Sequence, residues 1–367
     1  MSIHKLRRSL SPLLLPFSLF YGIAVSVRNK LFDLHILKST TFNFPVISVG
    51  NITVGGTGKT PHVEYLVELL SKKFRVSILS RGYKRKTKGF HLADKKSTPE
   101  EIGDESFQVF SKFRNVTVAV DEDRVHGIHE LKKKIPDLQA VILDDAFQHR
   151  YVTPGVSIVL IDYYRPIHQD CFLPAGNLRE STYAIKRANI VIVTKVPEHI
   201  KPIEKRLWKK DLKLFPYQFL YFTTFGYGRL IPVFKSNKQT FSMEDIRDAS
   251  VLLVTGIANP APLLEKVTSC ENEVFKMYFP DHHDYNETDL NAIKNKYEKL
   301  KREKKIIITT EKDAIKLGKL AHVDRTIKEK MYYLPVHVKF LDDKQGEFDT
   351  NIINYVATNK EINRLHK

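Results

Sequence analysis

Eight residues, Thr53-Val54-Gly55-Gly56-Thr57-Gly58-Lys59-Thr60, constrain this chain more than any other stretch of it. Gly55, Gly56 and Gly58 free the backbone for turns that side chains resist, which lets successive amides face one anion. An apolar run, Val46 to Val49, leads into the loop. Val63, Leu66, Val67 and Leu70 follow it on one helical stripe, with Pro61 tolerated in the first turn. Strand, glycine loop and helix in that order build a site for the phosphates of a nucleoside triphosphate. Loop amides take the phosphate oxygens, Lys59 reaches the β- and γ-phosphates, and the Thr60 hydroxyl is available to Mg²⁺. The usual pattern, GxxxxGK[ST], opens on glycine; here Thr53 stands in that place, so the loop has to begin without a positive φ.

Further apolar runs, Val76 to Leu79, Val116 to Val120, Ala140 to Leu143, Val156 to Ile161 and Ile190 to Val193, alternate with helical or polar stretches. Strands of this kind are buried on both faces. Their alternation predicts an α/β fold, a P-loop NTPase-like parallel sheet flanked by helices. At 367 residues, 42% of them apolar, the chain exceeds one ordinary core. A second alternating block opens at Val251 to Val254 and includes Ile306 to Thr309, which predicts a smaller α/β domain. The expected organisation is a membrane-associating helix over 1–37, a nucleotide-binding domain over 38–222, an extended linker over 223–240, the smaller domain over 241–345 and a tail over 346–367.

Val141-Ile142-Leu143 ends in Asp144-Asp145, the way a phosphate-loop protein brings a carboxylate to its magnesium ion, although paired aspartates also cap turns. Guanine-reading proteins carry [NT]KxD, whose aspartate bonds the base. Thr194-Lys195-Val196-Pro197 begins that way but has Pro197 where the carboxylate belongs, which favours ATP over GTP. Gly103-Asp104-Glu105 and Phe279-Pro280-Asp281-His282-His283-Asp284-Tyr285 contain catalytic residue types, yet Asp104 also suits a helix N-cap and the histidines suit a loop. Cys171 and Cys270 have no CxxC or CxxH spacing, which argues against a disulfide framework or zinc site and fits a reducing compartment.

A basic start, Lys5, Arg7 and Arg8, leads into an apolar stretch from Leu10 to Val27. As a cleaved signal it would deliver the phosphate loop to a place where ATP is scarce. As a span it is short and interrupted by Pro12 and Pro16. Leu13, Leu14, Phe17, Phe20, Tyr21, Ile23 and Ala24, continued by Leu31, Phe32, Leu34 and Ile36 and flanked by Arg28 and Lys30, fit a helix lying in the headgroups of an anionic leaflet. A helix packed on the protein's own core is the alternative. The surplus of 59 Lys+Arg over 42 Asp+Glu, net +17, suits an anionic membrane surface or a phosphorylated substrate. No nucleic-acid-binding signature accompanies it, so no nucleic acid is expected. A phosphate-loop ATPase switch, acting at a membrane or on nucleic acid, remains the alternative to a kinase.

Seven ordered motifs resemble one family, the tetraacyldisaccharide 4′-kinases. They are Ser48 to Pro61, with its missing first glycine; Ser80-Arg81-Gly82-Tyr83; Gly103-Asp104-Glu105; Leu143-Asp144-Asp145-Ala146-Phe147-Gln148-His149; Pro174-Ala175-Gly176-Asn177-Leu178-Arg179-Glu180; Asp281-His282-His283; and Thr310-Glu311-Lys312-Asp313. Ala146 replaces the glycine expected after the aspartates, and Ser106 a frequent proline. The resemblance implies transfer of the γ-phosphate of ATP to the 4′-hydroxyl of a lipid A disaccharide 1-phosphate, by a monomer at the cytoplasmic face of the bacterial inner membrane. It further implies that Thr60 with Asp144 or Asp145 holds Mg²⁺, with Glu180 a further candidate ligand, that Asp104 accepts the hydroxyl proton, and that His282 pairs with Asp104 on domain closure.

Overall fold

The computed structural model describes residues 3–365 apart from Lys235, Ala258 and His282, with side chains described between 13 and 359. The first elements are α1 (Ile3–Asp33), β1 (Val46–Asn51), α2 (Lys59–Ser71), β2 (Val76–Ser80), β3 (His91–Leu92), α3 (Pro99–Ile102), α4 (Asp104–Lys112), β4 (Thr117–Val120) and α5 (Arg124–Lys134). Next come β5 (Ala140–Asp144), β6 (Val156–Asp162), β7 (Ile190–Thr194), α6 (Pro202–Leu212), β8 (Phe219–Tyr227), β9 (Ile231–Pro232), β10 (Ser250–Thr255), α7 (Ala261–Thr268) and β11 (Glu273–Tyr278). The chain finishes with α8 (Glu287–Glu298), β12 (Lys305–Thr310), α9 (Glu311–Leu317), α10 (Arg325–Lys330), β13 (Met331–Leu334), β14 (Val336–Phe340) and α11 (Gln345–Leu365).

Nine strands form one sheet in the order β14-β8-β7-β6-β1-β5-β2-β4-β3. β1 is buried at every residue and lies between β5 and β6, parallel to both, with Val49 beside Asp144 and Asn51 beside Leu160. That register brings the end of β1, where the glycine loop begins, next to the aspartates that end β5, at the carboxyl ends of parallel strands where α/β folds bind ligands. Val63, Leu66, Val67 and Leu70 form the buried stripe of α2 as predicted. Leu79, Val141 and Leu143 share a core with Ile128 and Leu131 of α5, and Val159, Val191 and Val193 share another with Trp208 and Leu212 of α6.

Contacts divide the chain into two units, Met1–Thr224 with Val338–Lys367, and Phe225–His337. The smaller unit has a five-stranded sheet, β11-β10-β12-β13-β9, parallel except where β9 meets β13. Residues 346–367 were expected as a tail. Their described part belongs to α11, which buries Phe348, Ile352 and Val356 against the larger unit and sets the Tyr65 hydroxyl on Asp349 at 2.6 Å. An apolar residue at every fourth position makes a helix stripe, which the neighbouring lysines obscured in the sequence.

Pro12 and Pro16 do not interrupt α1. The packed-helix reading holds on one face, and the opposite face leaves apolar side chains exposed. Ser18, Gly22 and Asn29 lie along the face that packs: the Ser18 hydroxyl accepts from the Ala175 amide at 2.9 Å, Gly22 lies so near the Phe172 ring that a Cβ would stand 2.8 Å from it, and Asn29 donates to Glu180 at 3.1 Å. Phe17 and Phe20, 65% and 71% exposed, lie with Leu13, Ile23 and Val27 on solvent-facing positions. Among the described residues, no helix is long and apolar enough to cross a membrane.

Candidate active site

The departure at Thr53 has a structural cause. Thr53 is buried and bridges Leu178, the Val54 amide donates to the Asn177 carbonyl at 2.8 Å, and the Arg179 amide donates to the Ile52 carbonyl at 2.8 Å. Extended pairing with segment 177–179 therefore carries the chain out of β1, and the positive φ values fall later, at Gly55 (97°) and Gly58 (87°). Gly58 caps α2, which starts at Lys59, so the loop amides and the positive end of the helix serve one concave surface. Asn51 Nδ2 donates to Thr57 Oγ1 at 2.9 Å beneath it.

Asp144 and Asp145 are adjacent but face opposite electrostatics. Burial first, then the charges of Glu105 and Asp145, push Asp144 up to about 7, and one buried oxygen, Oδ1, has no hydrogen-bond partner. Burial also pushes Asp145 up, but Lys59 and Arg179 together outweigh it and hold its carboxyl below the usual range. Lys59 Nζ lies 3.5 Å from Asp145 Oδ1, and Arg179 donates to both Asp145 oxygens at 3.2 Å. Asp145 takes φ 48°, so the turn does not need glycine at the next position, and Ala146 fits. A Mg²⁺ ion suits this place: a partnerless carboxylate oxygen and the Thr60 hydroxyl are hard oxygen donors near the loop that would bring the phosphates. Among the described residues no three His, Cys, Asp or Glu side chains form a metal-binding group. Glu180 is not brought into such a group with the aspartates. It pairs with Arg187 at 2.7 Å and with Asn29, and so ties α1 to the sheet.

Gly103 joins two motifs, because a Cβ there would stand 2.9 Å from the Tyr83 carbonyl. Its φ of 84° starts α4, with Asp104 as the first helical residue rather than the cap. Glu105 beside it raises Asp144, so this helix start faces the aspartates. Sequence reasoning missed Arg124 and gave His149 no role. Arg124 is 1% exposed, donates to the Asp121 carbonyl at 2.7 Å, and burial lowers it to about 10. Burial, then the charges of Arg124, Arg81 and Arg28, lower His149 to about 4. The positive charges of three arginines, from α5, the residue after β2 and α1, thus act together on one imidazole that stays neutral. The signal was available only as isolated arginines.

In the smaller unit, Lys312 reaches Asp281 at 3.4 Å and Lys316 donates to the His283 carbonyl at 3.2 Å, so two of the sequence motifs meet. His283 itself pairs with Asp289 at 2.8 Å and stacks on Phe279. His282 lies outside the described residues.

The sequence profile of the family described as tetraacyldisaccharide-1-P 4′-kinase, LpxK, matches residues 10–357. The chain belongs to this family. A protein of Phocaeicola vulgatus named tetraacyldisaccharide 4′-kinase is 49% identical over 94% of this chain and 95% of its own length. One of the same name from Flavobacterium johnsoniae is 44% identical over 96% and 99%. The crystal structure of "apo" form LpxK from Aquifex aeolicus in complex with ATP aligns with a TM-score of 0.74 at 30% identity, covering 95% of this chain and 99% of that one. Within the LpxK family, then, this chain carries its loop, aspartate pair and Arg179 on a single unit.

Proposed function

We propose that the protein transfers the γ-phosphoryl group of Mg·ATP to the 4′-hydroxyl of a lipid A disaccharide 1-phosphate at the cytoplasmic face of the inner membrane, acting as a monomer. The observation that carries this is the union, in one unit, of Lys59 beside Asp145 with a helix that exposes Phe17 and Phe20. One substrate is water-soluble and the other stays in the bilayer, so a kinase joining them needs both features.

Phosphoryl transfer to an alcohol is governed by positioning and by neutralising charge on the transferring group. The amides of residues 53–60 and Lys59 hold the β- and γ-phosphates. Asp144 and Thr60 would hold Mg²⁺, which supplies positive charge to the phosphate oxygens. Asp145 orients Lys59 and Arg179. Asp104, at the helix start beside Glu105, accepts the sugar hydroxyl proton, and His282 is a further catalytic residue of the reaction. The positive charge that Arg81, Arg124 and Arg28 together exert at His149 suits the phosphate that the acceptor already carries.

The test is labelled ATP with detergent-solubilised lipid A disaccharide 1-phosphate. Label should move to the lipid, and Asp104→Asn and His282→Ala should each slow transfer with ATP affinity kept. Phosphate released to water at the same rate without acceptor would instead indicate an ATPase switch.

A further inference from the structure

The motif Thr194-Lys195-Val196-Pro197 has a lysine where base-reading proteins do, but no carboxylate after it. Its polar groups turn to the phosphate loop. Thr194 Oγ1 donates to the Thr57 carbonyl at 2.8 Å and Lys195 Nζ donates to the Gly56 carbonyl. From the segment after β6, Arg165 Nη1 donates to the Val54 carbonyl at 3.3 Å, and a Cβ on Gly55 would stand 2.7 Å from that nitrogen. Asp162, 5% exposed at the end of β6, holds both cations, Lys195 at 2.7 Å and Arg165 at 3.0 Å.

We propose that Asp162, Arg165, Thr194 and Lys195 form a latch that pre-shapes the phosphate loop for ATP. The loop has glycines at 55, 56 and 58, so its own sequence leaves it many conformations. A peptide plane has its N–H and C=O on opposite sides, so fixing the carbonyls of Val54, Gly56 and Thr57 toward the ends of β6 and β7 fixes the orientation of the following amides. Those amides belong to Gly55, Thr57 and Gly58. The latch residues act through the loop as positioning residues. They stabilise it before the nucleotide arrives, so their effect falls on ATP affinity more than on the phosphoryl-transfer step. Lys195 keeps the lysine of the base-reading motif while serving the loop, and Pro197 leaves that motif without its base-bonding acid.

The inference rests on the loop being the ATP site, and binding without acceptor separates the two claims. ATP affinity is measured by calorimetry on wild type, Lys195→Met, Lys195→Arg and Asp162→Asn, with amide hydrogen exchange in the nucleotide-free proteins. The expected result is that Lys195→Met weakens ATP by about tenfold or more and speeds exchange at residues 54–58 but not in β6 and β7, while Lys195→Arg restores most of the affinity. In the kinase assay KM for ATP should rise more than kcat falls, with KM for the lipid acceptor unchanged. Unchanged ATP affinity in folded Lys195→Met and Asp162→Asn would overturn the latch. Failure of wild type to bind ATP would overturn the reading of the loop, and the latch with it. Equal losses for both substrates, with faster exchange throughout the sheet, would show a general role in folding and overturn it as well.

Discussion

The two sides of the phosphate loop are built on opposite terms. On the shoulder, Asp162 lies between Lys195 and Arg165, and all three are committed to one another or to loop carbonyls. On the front, Asp144 Oδ1, Arg124 Nε and His149 Nδ1 are buried without a hydrogen-bond partner. Partnerless buried polar atoms destabilise a native state, whereas a satisfied charge network holds a geometry. The shoulder therefore serves the shape of the loop, and the front keeps donors and acceptors for ligands at the expense of stability.

The sharpest break between the two sides is Lys59→Ala, which removes the front cation proposed to reach the phosphates and should reduce transfer by about 10³-fold with the fold intact, read by single-turnover kinetics and circular dichroism. Asp144→Asn should reduce transfer by about 10²-fold yet raise thermal stability. It deletes a buried group that resists ionisation, with a gain on the order of 1 to 3 kcal/mol, or a few degrees of melting temperature. Asp162→Asn on the shoulder should move stability the other way, since it leaves two cations without their carboxylate. A lower melting temperature for Asp144→Asn, or a higher one for Asp162→Asn, would contradict the contrast.

The same contrast has a pH signature. The folded pKa of Asp144, about 7, lies above its ordinary value of 3.8, so the native state holds the extra proton between them. From this group, ligand-free stability falls as pH rises through that window, and wild type should converge on Asp144→Asn below it. With Asp144 as the proposed Mg²⁺ ligand, Mg·ATP takes its ionised form, so affinity should drop by up to about tenfold per unit below pH 7 and a proton should be released on binding, measured in buffers of different ionisation enthalpy. Asp162 behaves oppositely. Burial raises it, but Lys195 and Arg165 outweigh that and hold it low, so its contribution is lost only as pH falls through the acidic range. The smallest expected effect concerns α1: Phe17→Asp with Phe20→Asp should weaken binding to anionic vesicles several-fold and leave ATP affinity unchanged.

Much of this was legible in the sequence, for reasons of periodicity. Strands buried on both faces are runs of apolar residues, and the α2 stripe has helical spacing, so the sheet, the loop and Asp144-Asp145 could be placed in one dimension. What could not be read depends on contacts across the fold. Nothing in the spacing of Asp162, Arg165 and Lys195 reveals that they share one loop. The resemblance implied Glu180 as a further metal ligand; the fold commits its Oε2 to Arg187 and Asn29, contacts that its position in the sequence does not reveal. Arg124 resembles any surface arginine until α5 is packed and its side chain is 1% exposed.

Helix α11 bears on how the protein is made. The larger unit takes its residues from both flanks of the smaller one, and Tyr355 of α11 places its hydroxyl at the backbone of Val46, where the central strand begins. On the ribosome the greasy face of α1 and the whole of the smaller unit emerge before the residues that complete the nucleotide-binding unit. ATP binding is therefore acquired only once α11 has been made, and a chain without α11 would carry the exposed apolar face of α1 without a finished nucleotide-binding unit.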